Sequence, residues 1–263
     1  CHPKIIGFCN EKFYDNQLVI MTKESPEDNA LLLHRTSPGN HARRGTSGWY
    51  NLRQIEVVRD EIIGAHAHKY GDCSGVGVIA PYRDHVTETQ TMIPTAGLEV
   101  DTVHKYQGRE KHTIIFTTVA NDLNSFVDDP NLINVAVSRA VKELIIVTSD
   151  RLFRQHGTNI GDLIRYVEYN ALEGSVVESA KVSVFDLLYS EYSELLISHM
   201  NKTQNQSEYL SENLMHTVIE EVLEQPEFRS FKCVLHVPLR AIVKNCDDFE
   251  ETEKAFIQHP WTD

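Results

Sequence analysis

The residues of this sequence that are best suited to chemistry lie together in one polar segment, Gln107–Lys111, between two apolar runs. Leu98–Val103 precedes the segment, and Thr113–Val119 follows it and is rich in β-branched and aromatic residues, so both runs are predicted to be strands. Gly108 permits an unusual backbone conformation or a close approach to a ligand. The segment is therefore either one wall of a ligand site or an ordinary surface turn, because turns favour the same residue types.

A second candidate, Arg139, stands near the end of an apolar helical pattern, Asn131–Val141, and shortly before the predicted strand Glu143–Thr148. A guanidinium at the mouth of a parallel sheet can stabilise the charge that develops on a transferred phosphoryl group. The simpler alternative is a surface salt bridge. The position of Arg139 alone leaves both interpretations open.

The elements that must position these groups alternate between helix and strand. The sequence predicts helices over Cys1–Leu18 and Asn51–Tyr70, strands over Asn16–Thr22, Ala30–His34 and Gly75–Ala80, and a surface loop over Thr36–Trp49. Pro81, Tyr82 and Arg83 follow a strand end, which is where open α/β sheets place ligands. The predicted fold class is α/β, with a parallel sheet flanked by helices and then a smaller, mostly helical α+β segment.

Composition limits the possible functions and separates the chain into two parts. The 263 residues carry a net charge of −13, but residues 1–155 contain 17 Lys and Arg against 19 Asp and Glu, whereas residues 156–263 contain 8 against 19. The first part can therefore bind a phosphate backbone through local positive groups. No apolar stretch approaches the roughly 20 residues of a membrane helix, so no membrane association is expected.

The five cysteines form no C-x-x-C pair, which suits a reducing compartment and predicts a cytoplasmic location. No metal site is predicted with confidence. The chain lacks an initiator methionine and a signal-peptide pattern, which is typical of a piece cut from a longer protein.

Four ordered motifs in residues 1–155 closely resemble the second RecA-like domain of superfamily 1 helicases, on the branch of the nonsense-mediated decay helicase and its DNA-acting relatives. In chain order, the motifs are CHPKIIGFCNEKFYDNQL, GVIAPYRDHV, VDTVHKYQGREKHTIIFTTV and LINVAVSRAVKELIIVT. Each motif is a modest signal, but four in the same order are unlikely to agree by chance.

The resemblance implies a role for each matching residue. Arg139 would be an arginine finger on the γ-phosphate of ATP, and Glu110 would point toward the ribose or a bound water. Gln107 and Gly108 would couple the nucleotide pocket to the nucleic-acid path, and Gly108 and Arg109 would bind the nucleotide. The implied nucleic-acid contacts are Pro81, Tyr82, Arg83, Thr102 and His104.

The same resemblance implies ATP and Mg²⁺ as cofactors of the full-length protein and single-stranded DNA or RNA as its substrate. A phosphate-binding loop of the form G-x-x-x-x-G-K-[ST] occurs nowhere in the sequence. We therefore expect an upstream RecA-like domain of the same polypeptide to supply the phosphate cradle and the Mg²⁺ ligand. By itself, the chain is expected to bind ATP weakly or not at all and to be inactive.

The sequence changes in character near position 155, which predicts a helical connector over residues 156–206 and a third part over residues 207–263. This third part resembles the opening of restriction-endonuclease-like nuclease domains, with Glu212 on a helix and Asp263 as a candidate metal ligand. The final metal-binding strand of that fold is absent from the sequence. Glu212 can equally be a solvated helix charge.

Two other functional classes remain open at this point. The acidic second part could belong to a metal-dependent nuclease, or the whole chain could be a non-catalytic module that binds nucleic acid or a partner. The intact QGRE segment and Arg139 favour the helicase interpretation over a non-catalytic module.

Overall fold

The computed structural model describes residues 1–25, 28–37, 41–64, 67–120, 123–149 and 157–182, together with the single residue 226. The strands are β1 (Leu31–Arg35), β2 (Ala42–Arg44), β3 (Trp49–Asn51), β4 (Val76–Ala80), β5 (Glu99–Thr102), β6 (Lys111–Thr117), β7 (Ala140–Thr148) and β8 (Val176–Glu178). The α-helices are α1 (Pro3–Phe13), α2 (Leu52–Glu56), α3 (Ala67–Tyr70), α4 (Arg83–Met92), α5 (Pro130–Ser138) and α6 (Asn159–Asn170). A π-helix covers Val57–Gly64, and a 3₁₀ helix covers Val103–Tyr106.

Six strands form one sheet in the order β5-β4-β6-β7-β1-β8, and every neighbouring pair in it is parallel. Since the strands all run the same way, one edge of the sheet collects their amino ends and the opposite edge collects their carboxyl ends. The predicted α/β fold class with a RecA-like parallel sheet is confirmed for this part of the chain.

Helices cover both faces of the sheet because its central strands are apolar on both sides. In β6, Ile114 and Phe116 pack with α1, α5 and α6, whereas Ile115 packs on the other side with α2, the π-helix and α4. These three β6 side chains have no solvent exposure. Continuous burial of this kind explains why the strand sequences do not alternate between polar and apolar residues.

The structure corrects two predicted elements. Asn16–Thr22 is irregular rather than a strand; Asp15 and Asn16 adopt positive φ values of 50° and 60°, which turns the chain at the end of α1. The segment predicted as a loop over Thr36–Trp49 contains β2 and the first residue of β3, which pair as an antiparallel hairpin. Short polar strands such as β2 carry no hydrophobic pattern by which they could be recognised.

The predicted helix over Asn51–Tyr70 is present, although it is not a uniform α-helix. Asn51 caps α2 by accepting a hydrogen bond from the Gln54 amide at 3.1 Å. The chain then continues as the π-helix and ends in α3. The apolar side chains Ile55, Val58 and Ile62 of this segment are almost completely buried.

The sheet continues beyond position 155, where the change in sequence character predicts a domain boundary. Helix α6 packs into the apolar core, and β8 pairs with β1. The chain forms two compact units, Cys1–Glu191 and Tyr192–Asp263, and the six-stranded sheet belongs to the first. The division into residues 1–155, 156–206 and 207–263 stays a prediction, and the predicted helices after position 183 lie outside the described residues.

No helix within the described ranges is long and apolar enough to cross a membrane.

Candidate nucleotide and nucleic-acid sites at the two edges of the sheet

The predicted site residues fall into two groups at opposite edges of the sheet. Arg139 directly precedes β7, and Glu110 directly precedes β6, so both lie at the amino edge. The Lys111 amide donates to the Arg139 carbonyl at 3.1 Å, which ties these two positions together. The candidate nucleic-acid residues instead lie at the carboxyl edge, where β4 and β5 end at Ala80 and Thr102.

The 3₁₀ helix carries the chain from the carboxyl edge to the amino edge. Its last residue, Tyr106, is fully buried, and the phenol donates a hydrogen bond to the Glu99 carbonyl at 3.1 Å. The Arg109 amide donates to the Tyr106 carbonyl at 3.0 Å, so the polar loop starts from a fixed point. Gly108 then takes φ +84°, with no other atom within 4 Å of where a Cβ would be, so conformation rather than space requires glycine here.

Two basic side chains of the motif are engaged by acids of β5. Arg109 pairs with Glu99 and lies 3.9 Å from Asp101, and Lys111 pairs with Glu99 at 3.0 Å. Partial burial raises the pKa of Glu99, but hydrogen bonds from Lys111 and Arg109 outweigh it and hold that pKa below its usual value. Arg109 would have to exchange these carboxylates for any nucleotide it bound.

Arg139, by contrast, takes part in none of the ion pairs among the described residues. Its guanidinium donates only to neutral acceptors, the Val135 carbonyl at 3.3 Å and the Ser138 hydroxyl at 2.9 Å. Burial raises the pKa of the neighbouring Cys9 thiol to about 12, and the positive charge of Arg139 acts against that rise. Within the described part of the chain, the arginine is thus a partly buried cation without a carboxylate in contact, as expected of a group that meets an anionic ligand.

Gln107 and Glu110 have exposed side chains at the same edge, and neither makes a side-chain hydrogen bond with the described residues. The edge therefore presents an amide, a carboxylate and a guanidinium from two neighbouring strand starts. Such a set can contact the phosphate, ribose and attacking water of a nucleotide without holding it alone.

The residues predicted to contact nucleic acid differ in exposure at the carboxyl edge. Pro81 is buried, Tyr82 and Thr102 are half-buried, and Arg83 and His104 are exposed. Arg83 begins α4 and forms no ion pair with the described residues. Among the described residues, the edge thus presents the exposed guanidinium of Arg83, the hydroxyl of Thr102 and the rings of Tyr82 and His104 beside a buried proline.

Sequence reasoning missed Asn124 and Phe126, which extend the carboxyl edge from the polar segment between β6 and α5. The Phe126 ring lies 5.2 Å from that of Tyr82 and 6.3 Å from that of His104, measured between centroids. Asn124 donates to the Tyr82 hydroxyl at 3.0 Å. A single phenylalanine in a polar insertion has no periodicity that could have identified it.

A buried polar network supports the carboxyl edge from below. Asn51 donates to the Val119 carbonyl at 2.9 Å, and Gln54 accepts from the Val119 amide at 2.9 Å. These bonds hold Val119 at φ +63°, a conformation that β-branched residues strongly disfavour. His85 accepts from the Asn51 amide at 3.1 Å, and complete burial lowers its pKa to about 3. The network fixes the path of the chain beyond β6.

The candidate nuclease residues Glu212 and Asp263 lie outside the described residues.

A parallel sheet covered by helices on both faces, with polar loops at its two edges, is the arrangement of a RecA-like α/β domain. The sequence model of the family described as AAA domain matches residues 1–151, which is more than half of the chain. The chain belongs to this family.

Curated relatives narrow the class further. The chain is 36% identical over 97 residues to the DNA replication ATP-dependent helicase/nuclease JHS1 of Arabidopsis thaliana, a match over 35% of this chain and 7% of that protein. It is 26% identical over 176 residues to Helicase sen1 of Schizosaccharomyces pombe, covering 56% and 10%, respectively. It is 29% identical over 191 residues to human RNA helicase Mov10l1, covering 63% and 16%.

The chain thus spans less than a fifth of the length of each of these relatives. Together, the family and the relatives show a superfamily 1 helicase-like RecA domain.

Proposed function

We propose that the chain is the C-terminal motor-domain part of an ATP-dependent superfamily 1 helicase or translocase that acts on single-stranded DNA or RNA. The observation that carries the proposal is the separation of two polar sets on one sheet, with Arg139 and the Gln107–Glu110 loop at the amino edge and the nucleic-acid set at the carboxyl edge. The names of the relatives, which include DNA and RNA helicases, support the same class.

The residues at the amino edge fit one wall of an ATP site. Among the described residues, Arg139 has no carboxylate as a hydrogen-bond partner, and it could turn its charge toward a phosphate. Glu110 would face the ribose or a bound water, and Gln107, Gly108 and Arg109 would complete the wall. ATP with Mg²⁺ would supply the phosphoanhydride bond whose hydrolysis drives movement. The phosphate cradle and the Mg²⁺ ligand would come from an upstream RecA-like domain, the proposed partner within the same polypeptide.

Strand β5 and the 3₁₀ helix would couple the nucleotide that is bound at the amino edge to the nucleic-acid contacts at the carboxyl edge. Strand β5 is anchored at its start by the ion pairs of Glu99 with Arg109 and Lys111, and at its end the 3₁₀ helix leads directly back toward the same loop. Tyr106 locks the two ends of this stretch through the Glu99 carbonyl. A displacement of the loop would therefore be passed to Thr102 and His104 rather than absorbed locally.

Replacing Arg139 by alanine tests the proposal. An arginine finger stabilises the charge of the transferred phosphoryl group, so Arg139→Ala in the full-length protein should lower nucleic-acid-stimulated ATP hydrolysis by about 10³- to 10⁵-fold. Turnover is measured with saturating single-stranded DNA and RNA in separate assays. Arg165→Ala is the matched control, because Arg165 pairs with Asp162 on the surface of α6.

The expected result is loss of turnover with unchanged thermal unfolding for Arg139→Ala and normal turnover for Arg165→Ala. Normal ATP hydrolysis by the Arg139 variant would refute its assignment as the finger.

A further inference from the structure

We propose that Phe126, held in place by Tyr82 and Asn124, is a platform on which a base of the bound single strand stacks. This inference rests on the proposed function and adds a base contact to an edge that otherwise offers groups for the sugar-phosphate backbone. The residues that carry it are the aromatic pair, Tyr82 and Phe126, and the amide that joins them.

The aromatic pair has one fixed ring and one accessible ring. Tyr82 is half-buried, and its Cδ1 would lie only 3.3 Å from a Cβ at Gly48, so the turn of the β2–β3 hairpin packs closely against it. The ring of Phe126 lies against the ring of Tyr82, at a centroid distance of 5.2 Å and an interplanar angle of 45°. With 41% of its surface exposed, Phe126 keeps much of its ring open to a ligand.

Asn124 fixes the two rings relative to each other. Its amide nitrogen donates to the Tyr82 hydroxyl at 3.0 Å, while its amide oxygen accepts from the backbone of Phe126 at 3.1 Å and of Val127 at 3.0 Å. Val127 is completely buried, which anchors the far side of the turn. The turn that these hydrogen bonds stabilise therefore determines how far the Phe126 ring is exposed.

Packing covers only part of Phe126. Among the described residues, its ring contacts Tyr82, which itself packs against the apolar cluster on one face of the sheet, and much of the ring stays exposed. The ring also lies 6.3 Å from that of His104, on the edge that presents Arg83 and Thr102. Aromatic rings beside cationic groups are the means by which proteins hold single strands without reading their sequence.

A comparison of strands with and without bases isolates stacking from phosphate contacts. Binding of the full-length protein to fluorescently labelled 20-nucleotide oligothymidylate and oligouridylate is measured by anisotropy, beside abasic strands of the same length and backbone. Loss of one stacked base weakens binding about 5- to 150-fold. Phe126→Ala should weaken binding of the base-bearing strand by this factor and leave the abasic strand unchanged, whereas Phe126→Trp should retain tight binding.

The control is Tyr169→Ala, since Tyr169 is an aromatic residue with 90% exposure on α6. It should change neither affinity. Equal affinities of unsubstituted protein and Phe126→Ala for the base-bearing strands would overturn the inference, as would an equal loss for the abasic strands. If the unsubstituted protein bound neither type of strand, the proposed function itself would be wrong.

Asn124 is a positioning residue in this scheme, and its effect should appear in the ratio of the affinities for base-bearing and abasic strands. Asn124→Ala removes the link between Tyr82 and the turn, so the preference for base-bearing over abasic strands should fall while the melting temperature of the β-sheet unit changes little. An unchanged preference would show that the turn holds Phe126 without Asn124.

Discussion

His85, which belongs to the buried polar network below the carboxyl edge, has a pKa that the fold changes strongly. The side chain has no solvent exposure, and within the described residues its Nε2 has no hydrogen-bond partner. Desolvation disfavours the charged imidazolium, which is why the pKa falls from 6.5 to about 3. The folded protein therefore keeps His85 neutral throughout the physiological range.

This depression predicts a pH dependence of stability. Between pH 3 and pH 6.5 the unfolded chain binds the His85 proton and the folded chain does not, so the free energy of unfolding should rise with pH by about 1.4 kcal/mol per unit from this group. Above pH 6.5 its contribution is constant. Urea unfolding at pH 5.0, 6.0 and 7.5 measures the slope, and His85→Asn, which keeps an acceptor for the Asn51 amide, should reduce it below pH 6.5. An identical slope in that variant would contradict the buried neutral state.

Single residues also mark the limit of sequence reasoning. The candidate role of Arg139 came from its motif, but whether a carboxylate lies beside it depends on side chains brought from other parts of the chain, and none of those described contacts it. Arg109, from the preceding motif, has two acids of β5 beside it. The sequence could not distinguish these two arginines, because residue type and spacing carry no information on which carboxylates fold next to them.

Among the elements, β5 and the 3₁₀ helix connect the amino and carboxyl edges of the sheet, where the two candidate sites lie. Their junction depends on the close approach of Gly77 in β4 to Tyr106. A Cβ at Gly77 would lie 2.3 Å from the Tyr106 hydroxyl and 3.0 Å from its Cζ. Tyr106 is completely buried and cannot turn into solvent to avoid the clash.

A double-mutant cycle tests this contact. Gly77→Ala should destabilise the protein by about 1–3 kcal/mol through overpacking, and Tyr106→Phe by about 0.5–1.5 kcal/mol through loss of the bond to the Glu99 carbonyl. Removing the hydroxyl also relieves the closest clash, so the double variant should be more stable than the two single effects summed. Urea midpoints give the four free energies of unfolding. Strict additivity would show that Gly77 and Tyr106 act independently.

Elements with a strong periodic or apolar pattern were predictable from the sequence, and weakly patterned ones were not. The buried strand Val76–Ala80 and helix α5 fall close to the predicted ranges Gly75–Ala80 and Asn131–Val141, since burial imposes a visible pattern on both. The β2–β3 hairpin is short and polar, and its position depends on contacts with α4, such as those of Ser47 with Asp84. Such tertiary contacts leave no local signal.

At the scale of the whole molecule, the sheet depends on residues that follow the last recognised motif. Helix α6 buries Ile160, Leu163, Ile164 and Val167 completely in the core that also holds Phe8 and Leu33. Strand β8 covers the outer side of β1. The motifs therefore end before the folded unit does.

Truncated chains should show that the folded unit extends beyond the last motif. A chain of residues 1–155 would expose the apolar surface that α6 covers, so we expect it to lose cooperative thermal unfolding and to bind a hydrophobic dye. A chain of residues 1–182 keeps α6 and β8 and should unfold cooperatively. Differential scanning calorimetry distinguishes the two cases, and equal cooperative transitions for both chains would show that α6 and β8 are dispensable.

The opposite placement of the two candidate sites has a consequence for engineering the protein. Thr102 and His104 lie on the same short stretch as the Gln107–Glu110 loop, so exchanging them disturbs the amino edge as well. Phe126 reaches the carboxyl edge from a separate turn whose fixed points are Asn124 and Val127. A side chain of this turn can therefore be changed while the loop at the amino edge keeps its anchors, which makes the turn the least constrained place at which to vary the proposed nucleic-acid contacts.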